Sequence, residues 1–329
     1  MKLNNTQLGN FINRIKLQKD AMPKYRKQIE FIKERLEAKI NEDKHTGLRV
    51  SKYLLAGSWK KRTILRATGD HPIDIDLVLY VDGDEATASD MKKLHDFLVG
   101  YLEEIYPSKD ISKDVDAEGN TKSIKITFTG TGLELDIVPV VALASPKDYV
   151  WQPARGGSDK KYITSVTKQL DFASTAKEKN PNYTSIVRAL KWWRNYKELK
   201  PDDDNGGLSS FAIELIVAYL DTTHGLAGSI EEGIIRFFQA VSAQSFPVIK
   251  FAGAINTVPA YTSAVFIADP TNNENNAAKK VDADAWAEIR KQADDAFESL
   301  NIAQAKNYEG ETVDEWKRVF GPSFNITES

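Results

Sequence analysis

Leu54–Leu79, LLAGSWKKRTILRATGDHPIDIDLVL, decides how the rest of the chain is read. An apolar run ends at Gly57-Ser58, a basic segment follows (Lys60, Lys61, Arg62, Arg66), and Asp74-Ile75-Asp76 lies inside a second apolar run. Side chains of a β-strand alternate between its faces. Asp74 and Asp76 therefore share one face, with Cα atoms roughly 6.5–7 Å apart, and Ile75, Leu77 and Leu79 take the other. Two carboxylates together on a largely apolar strand repel each other and resist desolvation unless a cation joins them. Mg²⁺, a hard ion that takes carboxylate oxygens together with phosphate oxygens, is the natural candidate. Gly57-Ser58 supplies the complementary part. Ser58 is read as the N-cap of the next helix, whose free N–H groups suit a phosphate. The pattern implies metal-dependent nucleotidyl transfer.

Such chemistry uses two ions about 3.5–4 Å apart, one at the attacking hydroxyl and one at the leaving phosphates. Two aspartates are a thin cage for a pair of ions, so a third carboxylate on a neighbouring strand is expected. Leu133–Val138, LELDIV, offers Glu134 and Asp136 on one face. Asp136 is preferred because the apolar run Ile137-Val138-Pro139-Val140 anchors it. In this role it accepts the proton of the attacking sugar hydroxyl, while Asp74 and Asp76 bridge the metals.

The surrounding pattern is α+β. Residues 4–44 read as helix with a kink or break at Pro23, and Ile29, Ile32, Leu36 and Ile40 make one apolar stripe. A strand over 49–56, a short basic helix after Ser58, the Ile73–Val81 strand and a helix over 89–106 follow. Segments 111–115, 123–128 and 133–141 read as strands, the last two as a hairpin across Gly130–Gly132. Trp151–Asp159 reads as a Gly/Pro loop. Beyond it helical periodicity dominates over 160–179, 182–199, 208–223, 229–243, 282–303 and 311–319, with a short strand or extended stretch near Tyr261–Asp269. The expected domains are 1–150, an α/β core with its N-terminal helix, and 151–329, a helical domain, with the ligand in the cleft between them.

The net charge of −3 over 329 residues argues against a broad footprint for long nucleic acid. The absence of cysteine excludes disulfides and thiolate-bound zinc. MKLNNTQLGN is not a signal peptide, and no run approaches about 18 apolar residues. A cytoplasmic protein without membrane association is expected.

Gly-Ser, then Asp-x-Asp, then an acidic residue on a later strand resembles the nucleotidyltransferase core of DNA polymerase β-type enzymes. Ile186–Tyr196, IVRALKWWRNY, resembles the R-x-L-K-x-W helix of oligoadenylate synthetases and cGAS/DncV-like nucleotidyltransferases. Leu208–Leu220, LSSFAIELIVAYL, resembles their Ser-aromatic helix start, and Ala268–Asn273, ADPTNN, their Asp-Pro loop. The resemblance spans residues 45–320. It implies a polymerase β-type core plus a C-terminal helical domain, and a cyclic or linear oligonucleotide second-messenger synthase of the bacterial CBASS anti-phage type. It also implies that Gly57 and Ser58 hold a donor triphosphate, that Asp74, Asp76 and Asp136 bind two Mg²⁺ ions, with Mn²⁺ as an alternative, and that Lys191 and Ser210 contact the triphosphate. Phe211, in the place of the usual Tyr, would stack on a base. Nucleoside triphosphates, ATP and GTP or others, are the implied substrates, with an operon-encoded regulator and a separate effector as partners.

On periodicity alone Lys191 is a solvated charge on a helix whose apolar stripe is Ile186, Leu190 and Trp193. Ser209 or Ser210 is an N-cap, and Trp192 and Trp193 are core. Arg155, in its Gly-rich loop, is a further candidate for phosphate. No base contact is assigned to Asp269 or Asn273. The animal DNA-sensing members carry a zinc insertion and basic surfaces that this chain lacks, so activation by long DNA is not expected. Two other readings remain: transfer of nucleotides to a tRNA 3′ end or a protein side chain, and a non-catalytic nucleotide-binding module. The net charge disfavours a tRNA-adding enzyme, a protein nucleotidyltransferase of the antitoxin type is usually shorter and lacks the matched helical half, and the complete set of three carboxylates disfavours the last.

Overall fold

The computed structural model describes residues 1–69, 71–83, 90–115, 121–153, 161–201, 206–226 and 228–328. Contacts divide the chain into two compact units, Leu17–Leu170 and Met1–Lys16 together with Asp171–Ser329.

The Leu17–Leu170 unit is built on a mixed sheet. Its strands are β1 (Val50–Leu55), β2 (Ile73–Val81), β3 (Asp110–Val115), β4 (Thr121–Phe128), β5 (Leu133–Ala142), β6 (Val150–Pro153) and β7 (Lys161–Thr164). The order is β1-β2-β5-β4-β3, with β6 on β5 and β7 on β6. β2 and β5 run parallel, and the other pairs are antiparallel. The expected β4–β5 hairpin is present.

One face of this sheet is dry. Ile75, Leu77 and Leu79 of β2, Leu135 and Ile137 of β5, and Ile124 and Ile126 of β4 are buried in one cluster with Ile29, Ile32, Leu36 and Ile40 of α2 (Met22–Glu42). Leu94, Leu98 and Leu102 of α4 (Met91–Ile105) join them. Each such side chain contributes about 1.5–3 kcal/mol by burial. The other face is split along its strands. Val78, Tyr80, Val138 and Val140 form a smaller apolar cluster with Ala56, Val150 and Val166, and the alternate positions earlier on β2 and β5 are the carboxylates.

The break expected near Pro23 is present: one helix ends at Ile15, and Pro23 lies in the first turn of α2, where its missing N–H leaves no bond unmade. Two other expectations are corrected. The stretch read as a Gly/Pro loop begins with β6, and β7 occupies the start of the helix expected over 160–179, which forms as α5 (Val166–Lys179). Residues 154–160, with Arg155, lie outside the described residues. The contact division falls at 16/17 and 170/171 and not at 150/151. β6 and β7 extend the sheet, and α1 (Asn5–Ile15) packs on helices of the other unit.

That unit gathers α1, α6 (Tyr183–Tyr196), α7 (Ser210–His224), α8 (Ile230–Ser242), α9 (Ala283–Ala305) and α10 (Glu309–Phe320). α6 is its central helix. Trp193 is fully buried against Phe237 and Phe238 of α8. Trp192 lies edge-on to Phe11 of α1 and donates its indole N–H to Phe320 O at 2.9 Å. Both tryptophans are core, as the sequence suggested. Gly233 lets α8 close on α6, since a Cβ there would come within 2.3 Å of Ile186 Cδ1. A two-stranded ribbon, β8 (Ala268–Asp269) with β9 (Asn272–Asn276), forms at the Asp-Pro loop. Among the described residues, no helix is long and apolar enough to cross a membrane.

Candidate active site

The parallel register of β2 and β5 sets the geometry. Asp74 stands opposite Glu134 and Asp76 opposite Asp136. All four side chains leave the face away from the α2–α4 core, because their neighbours Ile73, Ile75, Leu77, Leu133, Leu135 and Ile137 are all buried in that core. Asp74 is exposed, while Asp76, Glu134 and Asp136 are partly buried.

β1 delivers the Gly-Ser turn to the same place. Leu55 pairs with Leu77, and the Ala56 N–H donates to Asp76 O at 3.0 Å. Gly57 then turns with φ +51°, and a Cβ on it would fall 1.7 Å from Asp76 Oδ2. Only glycine fits against that carboxylate. The expected capping role of Ser58 is corrected. α3 (Gly57–Lys61) has Ala56 at its N-cap with no side-chain cap, and Ser58 is its second residue. A helix of five residues carries little of the dipole that a longer one would. Ser58 has to be considered for its hydroxyl alone. Lys60, Arg62 and Arg66, just beyond, are exposed.

The sequence reading passed over Lys125. In the β4–β5 pair it lies directly opposite Asp136, and its ammonium reaches diagonally to Glu134 Oε2 at 3.0 Å. Burial alone would lower its pKa. The attraction of Asp136, Glu134 and Asp74 outweighs that and holds it above the ordinary lysine value. Lys125 therefore keeps its charge at any working pH, and Glu134 is engaged by it.

The donor set fits hard divalent cations, being oxygen throughout and negative. Among the described residues, no group of three acidic or imidazole side chains closes into a ready cage.

The helical unit holds the other expected residues. Lys191 is only 5% exposed, which corrects the solvated reading: α6 is packed on every side, so its charges are not on a water face. Burial also pulls the Arg188 guanidinium, three residues earlier on α6, below its usual value. The two serines divide their work. Ser209 caps α7, accepting from Ala212 N–H at 3.0 Å and donating to Ala277 O. Ser210 Oγ accepts from Nη1 of the buried Arg194 at 3.2 Å, and the same nitrogen donates to Leu208 O. Arginine is donor-only, so this contact leaves the Ser210 hydroxyl proton to be donated elsewhere. Phe211 is partly exposed. Asp269 Oδ1 accepts from both N–H and hydroxyl of Thr271 and shapes its own turn.

A family model, the Second Messenger Oligonucleotide or Dinucleotide Synthetase domain, matches residues 1–180. The chain is 32% identical over 332 residues to the CBASS oligonucleotide cyclase CdnC of Escherichia coli strain KTE188, covering 100% of both proteins. It is 29% identical to the cyclic AMP-AMP-AMP synthase of E. coli strain MS 115-1, over 95% of this chain and 94% of that one. The solved structure of E. coli MS115-1 CdnC with ATP superposes with a TM-score of 0.78 at 26% identity, over 98% of this chain and 99% of that one. The same protein has been solved with HORMA-deltaN, with a TM-score of 0.78 at 25% identity, over 98% of each chain. The resemblance to cGAS/DncV-like nucleotidyltransferases read in the sequence is borne out, and so is the α+β fold. The family is one of nucleotidyltransferases that generally need divalent metal ions. With its carboxylates and glycine turn on one sheet face, this chain belongs to the Second Messenger Oligonucleotide or Dinucleotide Synthetase family.

Proposed function

We propose that this chain joins nucleoside triphosphates into a cyclic di- or trinucleotide messenger for anti-phage signalling, releasing pyrophosphate at each transfer. The observation that carries the reading is the register of Asp76 against Asp136, with Asp74 two residues before and Gly57 closed against the Asp76 carboxylate. In each transfer a sugar hydroxyl of one nucleotide attacks the α-phosphorus of another, and the bond from that phosphorus to the leaving pyrophosphate breaks. Ring closure is the same reaction within one linear product.

Asp74, Asp76 and Asp136 would hold two Mg²⁺ ions, or Mn²⁺ in their place. Glu134 is the weaker candidate because Lys125 engages it. Bound divalent ions supply activation of the attacking hydroxyl and neutralisation of the leaving phosphates. Asp136 accepts the proton of the attacking hydroxyl. Gly57 and Ser58 present a backbone N–H and a hydroxyl to triphosphate oxygens, and the exposed Lys60, Arg62 and Arg66 add attraction. In the helical unit, Lys191 serves as a point charge for phosphate. Ser210 donates to a phosphate oxygen because Arg194 occupies its acceptor side, and Phe211 offers a π-face to a base.

The two E. coli relatives named above motivate ATP as substrate and a HORMA-type regulator as partner, with GTP as a second substrate to be tried. The effector that reads the product is a separate protein, and the chain works in the cytoplasm. Incubation with α-labelled ATP, Mg²⁺, bulk tRNA and a protein extract tests the reading. Label in a small product resistant to phosphatase supports it. Label held on tRNA or on protein supports the macromolecular transferase instead.

A further inference from the structure

The carboxylate face of β2 and β5 carries a cation of its own. Asp74, Asp76, Glu134 and Asp136 lie side by side on two adjacent strands. Lys125 enters from the third, opposite Asp136, and pairs with Glu134 at 3.0 Å. The direction of that contact matters. Asp136, directly across the pair, attracts the Lys125 ammonium, and the ammonium's ion pair at hydrogen-bond distance is made with Glu134. Glu134 is thereby turned toward β4, and Asp136 keeps Asp76 as its cross-strand neighbour on β2.

We propose that Lys125 is a positioning residue for the ion site: it withholds Glu134 from coordination and serves as the counter-charge against which entering divalent ions compete. The proposal rests on Asp74, Asp76 and Asp136 being the ion-binding carboxylates. Its physical content is a pair of opposite expectations for two residues that touch. Without the lysine, the face loses a positive charge that repels the ions and regains a free carboxylate, and both changes strengthen ion binding. Without the glutamate charge, the ammonium is released toward Asp136 and Asp76 and weakens it. A charge within a few ångströms changes such equilibria by about tenfold or more.

The test is Mn²⁺ binding to the full chain, followed by electron paramagnetic resonance, together with thermal unfolding in EDTA and in Mn²⁺. Lys125→Met should bind Mn²⁺ about tenfold more tightly than wild type, unfold at a lower temperature in EDTA, and recover most of that loss when Mn²⁺ is added. Glu134→Gln should bind Mn²⁺ more weakly, and Lys125→Arg should stay near wild type. Unchanged Mn²⁺ affinity in both Lys125→Met and Glu134→Gln would overturn the proposal and leave the pair a surface ion bridge. A raised KM for ATP in Lys125→Met at unchanged Mn²⁺ affinity would also overturn it, by making Lys125 a phosphate ligand. Wild-type Mn²⁺ binding that survives Asp74→Asn/Asp76→Asn would instead remove the carboxylate assignment on which the proposal stands.

Discussion

Asp76 on β2 and Asp136 on β5 stand opposite each other in parallel register, although 60 positions separate them in the chain. Facing carboxylates on adjacent strands repel, and the attraction between Asp136 and Lys125 offsets part of that cost. Replacing either with asparagine removes that repulsion without changing its shape. Asp76→Asn and Asp136→Asn should each lower nucleotidyl transfer by about 10²–10⁴-fold. The thermal midpoint in EDTA should change little for Asp76→Asn and fall slightly for Asp136→Asn, which loses its attraction to Lys125. Radiolabelled product formation and a melting curve check both halves, and a large fall in stability would point to a structural role.

Gly57→Ala asks the turn to take a Cβ where Asp76 Oδ2 already lies, at a φ of +51°. The substitution should destabilise the protein by about 1–3 kcal/mol through backbone strain and crowding. Activity should fall further than the stability loss explains, because the Asp76 carboxylate must move. Chemical denaturation beside kinetics separates the two.

The neighbouring serines of α7 should behave differently. Ser209→Ala removes a cap and should cost about 1 kcal/mol of stability, with a small kinetic effect. Ser210→Ala leaves the cap in place and should raise KM for ATP by about tenfold, the loss expected for one charge-assisted hydrogen bond. If Ser210→Ala lowered the melting temperature and left KM alone, its hydroxyl would be structural.

Trp193→Ala should cost about 3–5 kcal/mol, because it opens a cavity among Phe237 and Phe238. Residual folded protein at low temperature should keep its KM for ATP. A selective KM effect would make the tryptophan a base platform instead of core.

Much of the sheet was legible because period-two alternation is strict on β2 and β5, and Asp-x-Asp and LELDIV read correctly as one-sided. The partner of those strands was not. Ser123, Lys125 and Thr127 also alternate with Ile124, Ile126 and Phe128, which marks Lys125 as facing away from the core. Its place opposite Asp136 needs the β4–β5 register, which sequence does not carry. β6 and β7 escaped notice because each spans four residues beside a Gly/Pro-rich segment. The burial of Lys191 was hidden for another reason: a helix packed on all sides has no water face, so an apolar stripe says nothing about its remaining positions. Ser209 and Ser210 could be told apart only by which hydroxyl meets Ala212 N–H.

The most direct measurement incubates the purified chain with Mg²⁺ and all four nucleoside triphosphates and takes a mass spectrum of the phosphatase-resistant products, with Asp74→Asn/Asp76→Asn alongside. A cyclic di- or trinucleotide that disappears in the variant is the expected result. No resistant small product, with label carried instead on tRNA or protein, would contradict the account.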